Sequence, residues 1–128
     1  MKNRTRRLLA TGLMAVAFTA ATLAAATPSS IIHVVTLYWK EGATDAQKKA
    51  ALDGVKKMGT SIPGIKNVWI KTIKMQGDIE NKPIQAVFVM EFESEAAFKA
   101  YDNHPAHRAW EKIYHEVRGE SRTHDITN

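Results

Sequence analysis

The sequence predicts one α+β domain in which an antiparallel sheet is covered by helices, in the order β-α-β-β-α-β. Stretches rich in β-branched and aromatic residues, which favour strands, alternate with segments whose apolar residues recur at helical spacing. Glycine, proline and helix-capping residues stand between these segments, where turns and helix ends are expected. The roughly 100 residues that follow the N-terminal segment suit one compact core.

Residues 1–26 have the three-part composition of a cleavable signal peptide. Four cations precede the uncharged stretch 8–26, which ends on three alanines of the kind a signal peptidase accepts. We therefore expect an exported protein, periplasmic or secreted, in which residues 27–30 form a short linker. An uncleaved membrane anchor is the alternative, because 19 uncharged residues nearly span a bilayer. The sequence leaves the Sec and twin-arginine export routes both open.

The basic charge of the chain lies largely in this leader. The whole sequence has 18 Lys and Arg against 13 Asp and Glu, whereas residues 27–128 have 14 against 13. Without a concentrated cationic face, we expect no nucleic-acid partner and no stable membrane association after signal cleavage. The chain has no cysteine, so an oxidising compartment adds no disulfide.

The first strand and the first helix are predicted from residues 31–64. Residues 31–40 are apolar on both faces of a strand, so we expect them to be covered on both sides. Thr44 and Gln47 form a capping box at the start of the helix. Pro63 and Gly64 end the helical region. The apolar positions of this helix recur at helical spacing: Ala51, Val55, Met58 and Ile62.

The second and third strands are predicted over residues 65–75 and 84–93, with a polar turn over residues 76–83 between them. Ser94 is the expected N-cap of the second helix, because its hydroxyl can accept a hydrogen bond from the first turn. Pro105 interrupts that helix and starts a new segment, since proline suits the first turn of a helix.

Gly119 is expected to end this segment, and residues 120–126 predict a short last strand. The resulting order is the ferredoxin-like arrangement of four antiparallel strands under two helices. One face of the sheet packs on the helices, and the other would expose an apolar patch, which predicts a homodimer. The apolar residues of that outer face are Val34, Tyr38, Val87 and Val89.

Four short motifs occur in an order that is typical of a known family. They are Ile32-His33-Val34-Val35, Ile62-Pro63-Gly64, Phe92-Glu93-Ser94 and, most specifically, Tyr101-Asp102-Asn103-His104-Pro105-Ala106-His107. Over residues 31–127 the chain thereby resembles the stress-responsive dimeric α/β barrel family, often called Dabb. The resemblance implies a homodimer in which two four-stranded sheets face each other as a barrel, with the helices outside.

The resemblance also implies site residues. One member of the family, a plant polyketide cyclase, closes a linear polyketide by an intramolecular aldol step with a Tyr and a His that match Tyr101 and His107. Its first-strand His matches His33, and a further pocket His on its third strand corresponds to Ala86. Its large apolar residues on the first helix correspond to smaller ones here, which implies a pocket of different shape. These are Ala51, Leu52 and Val55.

The residues themselves allow two interpretations of this motif. His107 can exchange a proton near neutral pH, and Tyr101 can orient it or polarise a carbonyl through its hydroxyl. Alternatively, His104 caps the second helical segment, His107 bonds a backbone carbonyl, and Tyr101 is a core aromatic. If an apolar cavity exists between sheet and helices, we expect its walls to include Val35, Leu37, Val55, Phe88 and Trp110.

Neither a metal nor a cofactor is expected. His104 and His107 have no third ligand at a suitable spacing, and phosphate-loop, dinucleotide and zinc motifs do not occur. Three hypotheses follow. The protein binds a small apolar or aromatic molecule in a dimeric barrel, or it is a cyclase-like enzyme with His107 as general base and Tyr101 as orienting acid. In the third, it is a structural, stress-related oligomer with a solidly packed interior.

Overall fold

A computed structural model describes residues 25–128. The predicted signal peptide, residues 1–26, lies outside these residues apart from its last two. Within the described chain, no helix is long and apolar enough to cross a membrane. The strands and helices are β1 (Ile31–Trp39), α1 (Asp45–Ser61), β2 (Ile65–Trp69), β3 (Asp78–Ile79), β4 (Lys82–Pro83), β5 (Ala86–Phe92), α2 (Glu95–Asp102), α3 (Pro105–Val117) and β6 (Arg118–Ile126).

The main sheet of residues 25–128 has the strand order β2-β5-β1-β6, and every neighbouring pair is antiparallel. Helices α1 and α3 pack against each other on one face of this sheet. The ferredoxin-like α+β fold predicted from the sequence is therefore confirmed. The most deeply buried side chains lie between the sheet and the helices: Phe88, Phe92, Leu37, Met58, Met90, Val55 and Val117.

The first two helices begin at the predicted capping residues. The Gln47 N–H donates to the Thr44 hydroxyl at 3.2 Å, and the Thr44 N–H donates to the Gln47 side chain at 2.9 Å. Ser94 caps α2 in the same way, accepting from the Ala97 N–H at 3.1 Å. Both partners of each cap lie within one helical turn, so the local sequence is sufficient to locate these helix starts.

Strand β2 is shorter than predicted, because it ends at Trp69 rather than at residue 75. The β-branched residues beyond it favour a strand, and Ile70 still packs against the core, but Ile73 is 99% exposed. Thr72 contacts the neighbouring strand only through its side chain, whose hydroxyl donates to the Val87 carbonyl at 3.5 Å. A strand needs a paired backbone and a face to bury, and propensity alone supplies neither.

The predicted polar turn contains a small hairpin in which β3 pairs with β4. Its turn residues Glu80 and Asn81 have φ angles of 53° and 63°, in the left-handed region that a type I′ turn requires. The hairpin buries Ile79 and holds the Lys82 Nζ 4.8 Å from the centre of the Tyr38 ring. Tyr38 is therefore covered, and it does not belong to the exposed patch predicted for the outer face.

The end of α3 also differs from the prediction. Arg118 is its C-cap, and Gly119 lies inside β6 instead of ending the helix. A Cβ atom on Gly119 would overlap the Tyr38 ring. Glycine is thus required here so that β6 can approach β1 closely, next to an irregularity in their pairing at Trp39. The last strand consequently spans Arg118–Ile126 rather than residues 120–126.

Candidate functional site

An open cavity of about 560 Å³ lies between the sheet and the segment formed by α2 and α3. Strand β6 contributes one side of it, and the aromatic residues of α2 and α3 contribute the opposite side. The cavity walls bring together six residues that the sequence singled out: His33, Val35, Phe88, Tyr101, His107 and Trp110.

Two further residues, Leu37 and Val55, were expected in the cavity wall and are not there. Both are 0% exposed and belong to the packed core between the sheet and the helices. Leu37 shares a face of β1 with Val35, as alternation along a strand dictates. Alternation identifies the face of the sheet, but it does not say whether a core or a cavity lies above each position. The prediction for these two residues is therefore wrong.

The position of His107 follows from the break between α2 and α3. His104 is the N-cap of α3, where its Nδ1 accepts a hydrogen bond from the Ala106 N–H at 3.2 Å. Pro105 occupies the first position of the helix, where its missing N–H costs nothing. His107 then lies in the first turn with its side chain buried. The capping role considered for His104 is confirmed.

The His107 ring is held by the main chain. Its Nδ1 lies 3.1 Å from the carbonyl oxygen of Asp102. A carbonyl only accepts hydrogen bonds, so this contact assigns the proton of the neutral imidazole to Nδ1 and leaves the lone pair on Nε2. The backbone contact considered as an alternative to catalysis is thus present, and it leaves His107 with a basic nitrogen.

Tyr101 lies directly beside this imidazole, with 4.1 Å between the two ring centres. Burial of the Tyr101 hydroxyl, reinforced by the negative charges of Glu111 and Asp102, raises its pKa well above the ordinary value. The hydroxyl therefore stays protonated at neutral pH and acts as a hydrogen-bond donor. The site offers a proton acceptor and a proton donor next to each other.

His33 joins this cluster from β1. Its ring centre lies 5.9 Å from that of Tyr101, and its Nδ1 lies 2.6 Å from Oδ1 of Asp125. The pairing of β1 with β6 aligns positions 33 and 125, so the two side chains meet on the helix-facing side of the sheet. Sequence reasoning missed Asp125. Pairing the predicted first and last strands in register would have been the signal for it.

An aromatic wall extends the site along α3. Trp110 stacks on Tyr114, with ring centres 4.6 Å apart, and its ring centre lies 5.8 Å from that of His107. The Trp110 Nε1–H donates to the Ala51 carbonyl at 2.8 Å, which fixes the indole against α1. Tyr114 also lines the cavity. It was not singled out in the sequence, although it continues the apolar stripe of this helix.

In the part of the chain that the structure describes, no group of three or more His, Asp and Glu side chains is arranged to hold a metal ion. His104 and His107 are both engaged with the main chain through Nδ1.

Several solved structures share this fold. One is a Dabb family protein with a ferredoxin-like fold from Mesorhizobium loti, with 22% identity, a TM-score of 0.62, and coverage of 77% of this chain and 96% of that one. Another is a dimeric protein of unknown function with a ferredoxin-like fold from Bacteroides fragilis, with 16% identity, a TM-score of 0.63, and coverage of 80% and 100%.

A third is the hydroxynitrile lyase from Passiflora edulis, with 15% identity and a TM-score of 0.67, covering 77% of this chain and 93% of that one. At such identities the likeness concerns the fold alone. Among curated proteins, no sequence is significantly similar to this chain.

A match of the sequence to a family pattern identifies the family more specifically than these similarities of fold do. Residues 31–128 match the pattern that defines the stress responsive A/B barrel domain, known as Dabb. The match covers all the strands and helices described above, and it therefore includes His33, His104 and His107. The chain therefore belongs to the stress responsive A/B barrel domain family.

Proposed function

We propose that this protein binds a small apolar or aromatic molecule in the cavity between its sheet and helices. The observation that carries the proposal is a cavity of about 560 Å³ in which an oriented imidazole and a protonated phenol stand among aromatic side chains. Concave sites with apolar walls and a few convergent polar groups are typical of small-molecule binding. An open cavity argues against the alternative of a structural oligomer with a solid interior.

A neutral fluorescent probe tests this proposal directly. N-phenyl-1-naphthylamine should bind with one molecule per chain and gain fluorescence on entering an apolar site. Thr123 lines the cavity from β6, so Thr123→Trp should fill part of it and weaken binding at least tenfold. Thr60→Trp introduces the same side chain at an exposed position on α1 and should have no effect. Absence of saturable binding by the unmodified protein would refute the proposal.

A second function, acid–base catalysis, is favoured by the pairing of His107 with Tyr101. His107 Nε2 takes a proton from a carbon beside a carbonyl, and the Tyr101 hydroxyl donates a hydrogen bond to the carbonyl oxygen that receives the charge. The enolate carbon then bonds to a second carbonyl carbon of the same molecule, and the imidazolium returns its proton to the new alkoxide. This is an aldol closure that needs no cofactor. The hydroxynitrile lyase named above supports catalysis within this fold.

Turnover of a poly-β-keto substrate distinguishes the enzyme from the binding protein. We expect His107→Ala to reduce the rate at least a hundredfold, in line with the usual contribution of a general base. Lys112 lies on the exposed side of the same helix, so Lys112→Ala should retain the full rate. If the unmodified protein is no faster than His107→Ala, the catalytic function is excluded and binding alone remains.

Export and dimerisation belong to the same proposal. The composition of residues 1–26 supports export to the periplasm or the medium, and N-terminal sequencing of the secreted product should then begin at Thr27. The outer face of the sheet supports a dimer, because Trp69 and Ile126 are 51% and 58% exposed beside Val34, Val87 and Val89. The Bacteroides fragilis protein of the same fold is described as dimeric.

A further inference from the structure

The end of the cavity remote from His107 carries polar atoms that have no partner. Tyr114 is 5% exposed, and its hydroxyl makes no hydrogen bond to any described residue; Ser121 lies near it but outside hydrogen-bond geometry. The Nε of Arg118 is buried and unpaired in the same way. Both residues line the cavity. A buried donor without an acceptor is costly, so two such donors in the cavity wall favour a ligand that accepts hydrogen bonds from them.

The Arg118 guanidinium gives this end of the cavity a positive charge, and the nearby Glu120 carboxylate interacts with it without forming a direct ion pair. The Arg118 guanidinium lies 5.6 Å from the centre of the Tyr114 ring, and its Nη1 donates to the Ser121 hydroxyl at 3.1 Å. Among residues 25–128, no carboxylate lies within 4 Å of it. Glu120, the adjacent acid on β6, accepts from the Ser121 N–H at 2.9 Å and pairs with Arg122 at 3.6 Å. The Ser121 N–H bond and the charges of Arg118 and Arg122 together lower the pKa of the Glu120 carboxyl.

The other charged side chains of the cavity wall have partners of their own. Glu111 pairs with Arg108 at 2.9 Å, and Lys99 pairs with Glu95 at 2.8 Å. Among the described residues, Arg118 is therefore the lysine or arginine of the cavity wall that has no carboxylate within 4 Å. An anionic ligand group would give the guanidinium the partner that this chain does not provide.

We propose that Tyr114 and Arg118 bind the carboxylate of an elongated apolar or aromatic acid whose other end lies against His107 and Tyr101 in the cavity. This inference rests on the proposed binding function and specifies the class of ligand. His107 and Tyr114 are seven residues apart on α3, about 10 Å along the helix axis. Trp110 lies between them in the cavity wall and provides apolar contact for the body of the ligand.

A carboxylate fits this subsite better than a neutral carbonyl. It can accept from the Tyr114 hydroxyl with one oxygen and from the Nε edge of Arg118 with the other, which satisfies both buried donors. Burial raises the pKa of Tyr114, so its hydroxyl is protonated and able to donate at neutral pH. A neutral amide would leave the charge of Arg118 unpaired.

Two probes of nearly equal shape test the subsite: 4-phenylbutyrate and its neutral amide, 4-phenylbutanamide, titrated into the unmodified protein at pH 7. We expect the acid to bind about tenfold more tightly than the amide. Arg118→Gln should remove this preference, and Tyr114→Phe should weaken the acid several-fold and the amide less, because the charged carboxylate forms the stronger hydrogen bond with the hydroxyl. Arg122→Gln, at an exposed arginine of β6, is the matched control and should keep the preference.

The outcomes separate this inference from the proposed function. Equal affinities for the two probes, or a preference that persists in Arg118→Gln, would overturn the carboxylate subsite while leaving the cavity as a binding site. Binding of neither probe would overturn the binding function and the subsite with it. If Arg118→Gln does not fold, Tyr114→Phe decides the matter, because it removes one oxygen atom and keeps the ring that stacks on Trp110.

Discussion

The imidazole of His33 on β1 contacts the carboxylate of Asp125 on β6, with 2.6 Å between Nδ1 and Oδ1. The two residues are 92 positions apart in the chain and are aligned by the antiparallel register of the first and last strands. Because the carboxylate accepts from Nδ1, the neutral His33 ring carries its lone pair on Nε2. Asp125 thus orients His33 as the Asp102 carbonyl orients His107.

A double-mutant cycle should measure this contact. We expect Asp125→Asn and His33→Gln each to lower the free energy of unfolding, with a coupling of about 1 kcal/mol between them. Urea denaturation gives the free energy of unfolding of the unmodified protein, the two single variants and the double variant. The exposed ion pair of Glu95 and Lys99 serves as the comparison, with an expected coupling of about 0.3–0.5 kcal/mol. Equal coupling in both pairs would contradict a specific role for Asp125.

Tyr101 should make stability depend on alkaline pH. Its pKa in the folded protein is raised by burial, so the unfolded chain, with a tyrosine pKa of about 10, ionises first. The contribution of Tyr101 to the free energy of unfolding is fully present below pH 10 and is lost as the pH rises above that value. The loss amounts to about 1 kcal/mol at pH 11. In Tyr101→Phe, the fall in unfolding free energy between pH 9 and pH 11 should be smaller by that amount. The same fall in both proteins would contradict the buried phenol.

The cap at His104 should stabilise α3 and hold His107 in place. We expect His104→Ala to lower the free energy of unfolding by about 1 kcal/mol, because the Ala106 N–H loses its acceptor. His104→Asn supplies another side-chain acceptor and should restore most of that loss. Thermal unfolding followed by circular dichroism measures both variants. An alanine variant as stable as the unmodified protein would show that the cap contributes nothing.

Gly54 should be required for the position of Trp110. A Cβ atom on Gly54 would overlap Cδ1 of the indole, so Gly54→Ala should displace the ring that is bonded to the Ala51 carbonyl. We expect a loss of about 1–3 kcal/mol in stability, despite the higher helix propensity of alanine, together with altered tryptophan fluorescence. Lys56→Ala, at an exposed position of the same helix, should be neutral. Unchanged stability in Gly54→Ala would argue against this close packing.

The outer face of the sheet should mediate dimerisation. Val89→Arg places a charge on β5, a central strand, and should convert a dimer into a monomer at micromolar concentration in sedimentation experiments. Ala96→Arg, on exposed α2 surface, should remain dimeric. A monomeric unmodified protein at that concentration would refute the proposed dimer.

The fold could be predicted largely because its signals are local. Thr44 with Gln47, and Ser94 with the N–H three residues later, are partners within one helical turn. The end of β2 and the hairpin after it could not be found in this way, since they depend on which backbone lies alongside and on what there is to bury. Propensity favours a strand at Ile73 as strongly as at Val68, yet only the latter has a paired strand.

The site could be predicted only in part, for a related reason. His33, Tyr101 and His107 were singled out by their chemistry and by the family resemblance, and the fold brings them to one cavity. Asp125 and Arg118 resembled ordinary surface charges. Asp125 could have been found by pairing the predicted first and last strands in register, whereas the place of Arg118 depends on where α3 ends, which the sequence pattern did not locate.

Helix α3 sets the spacing of the side chains along one wall of the cavity. This helix carries His107, Trp110 and Tyr114 at fixed positions, because each residue adds a rise of about 1.5 Å and a rotation of about 100°. Inserting one residue between His107 and Tyr114 would rotate Tyr114 by about 100° around the helix axis relative to His107. Substitutions at these positions can therefore change the chemistry of the cavity wall, whereas the distance between the positions is set by the helical main chain.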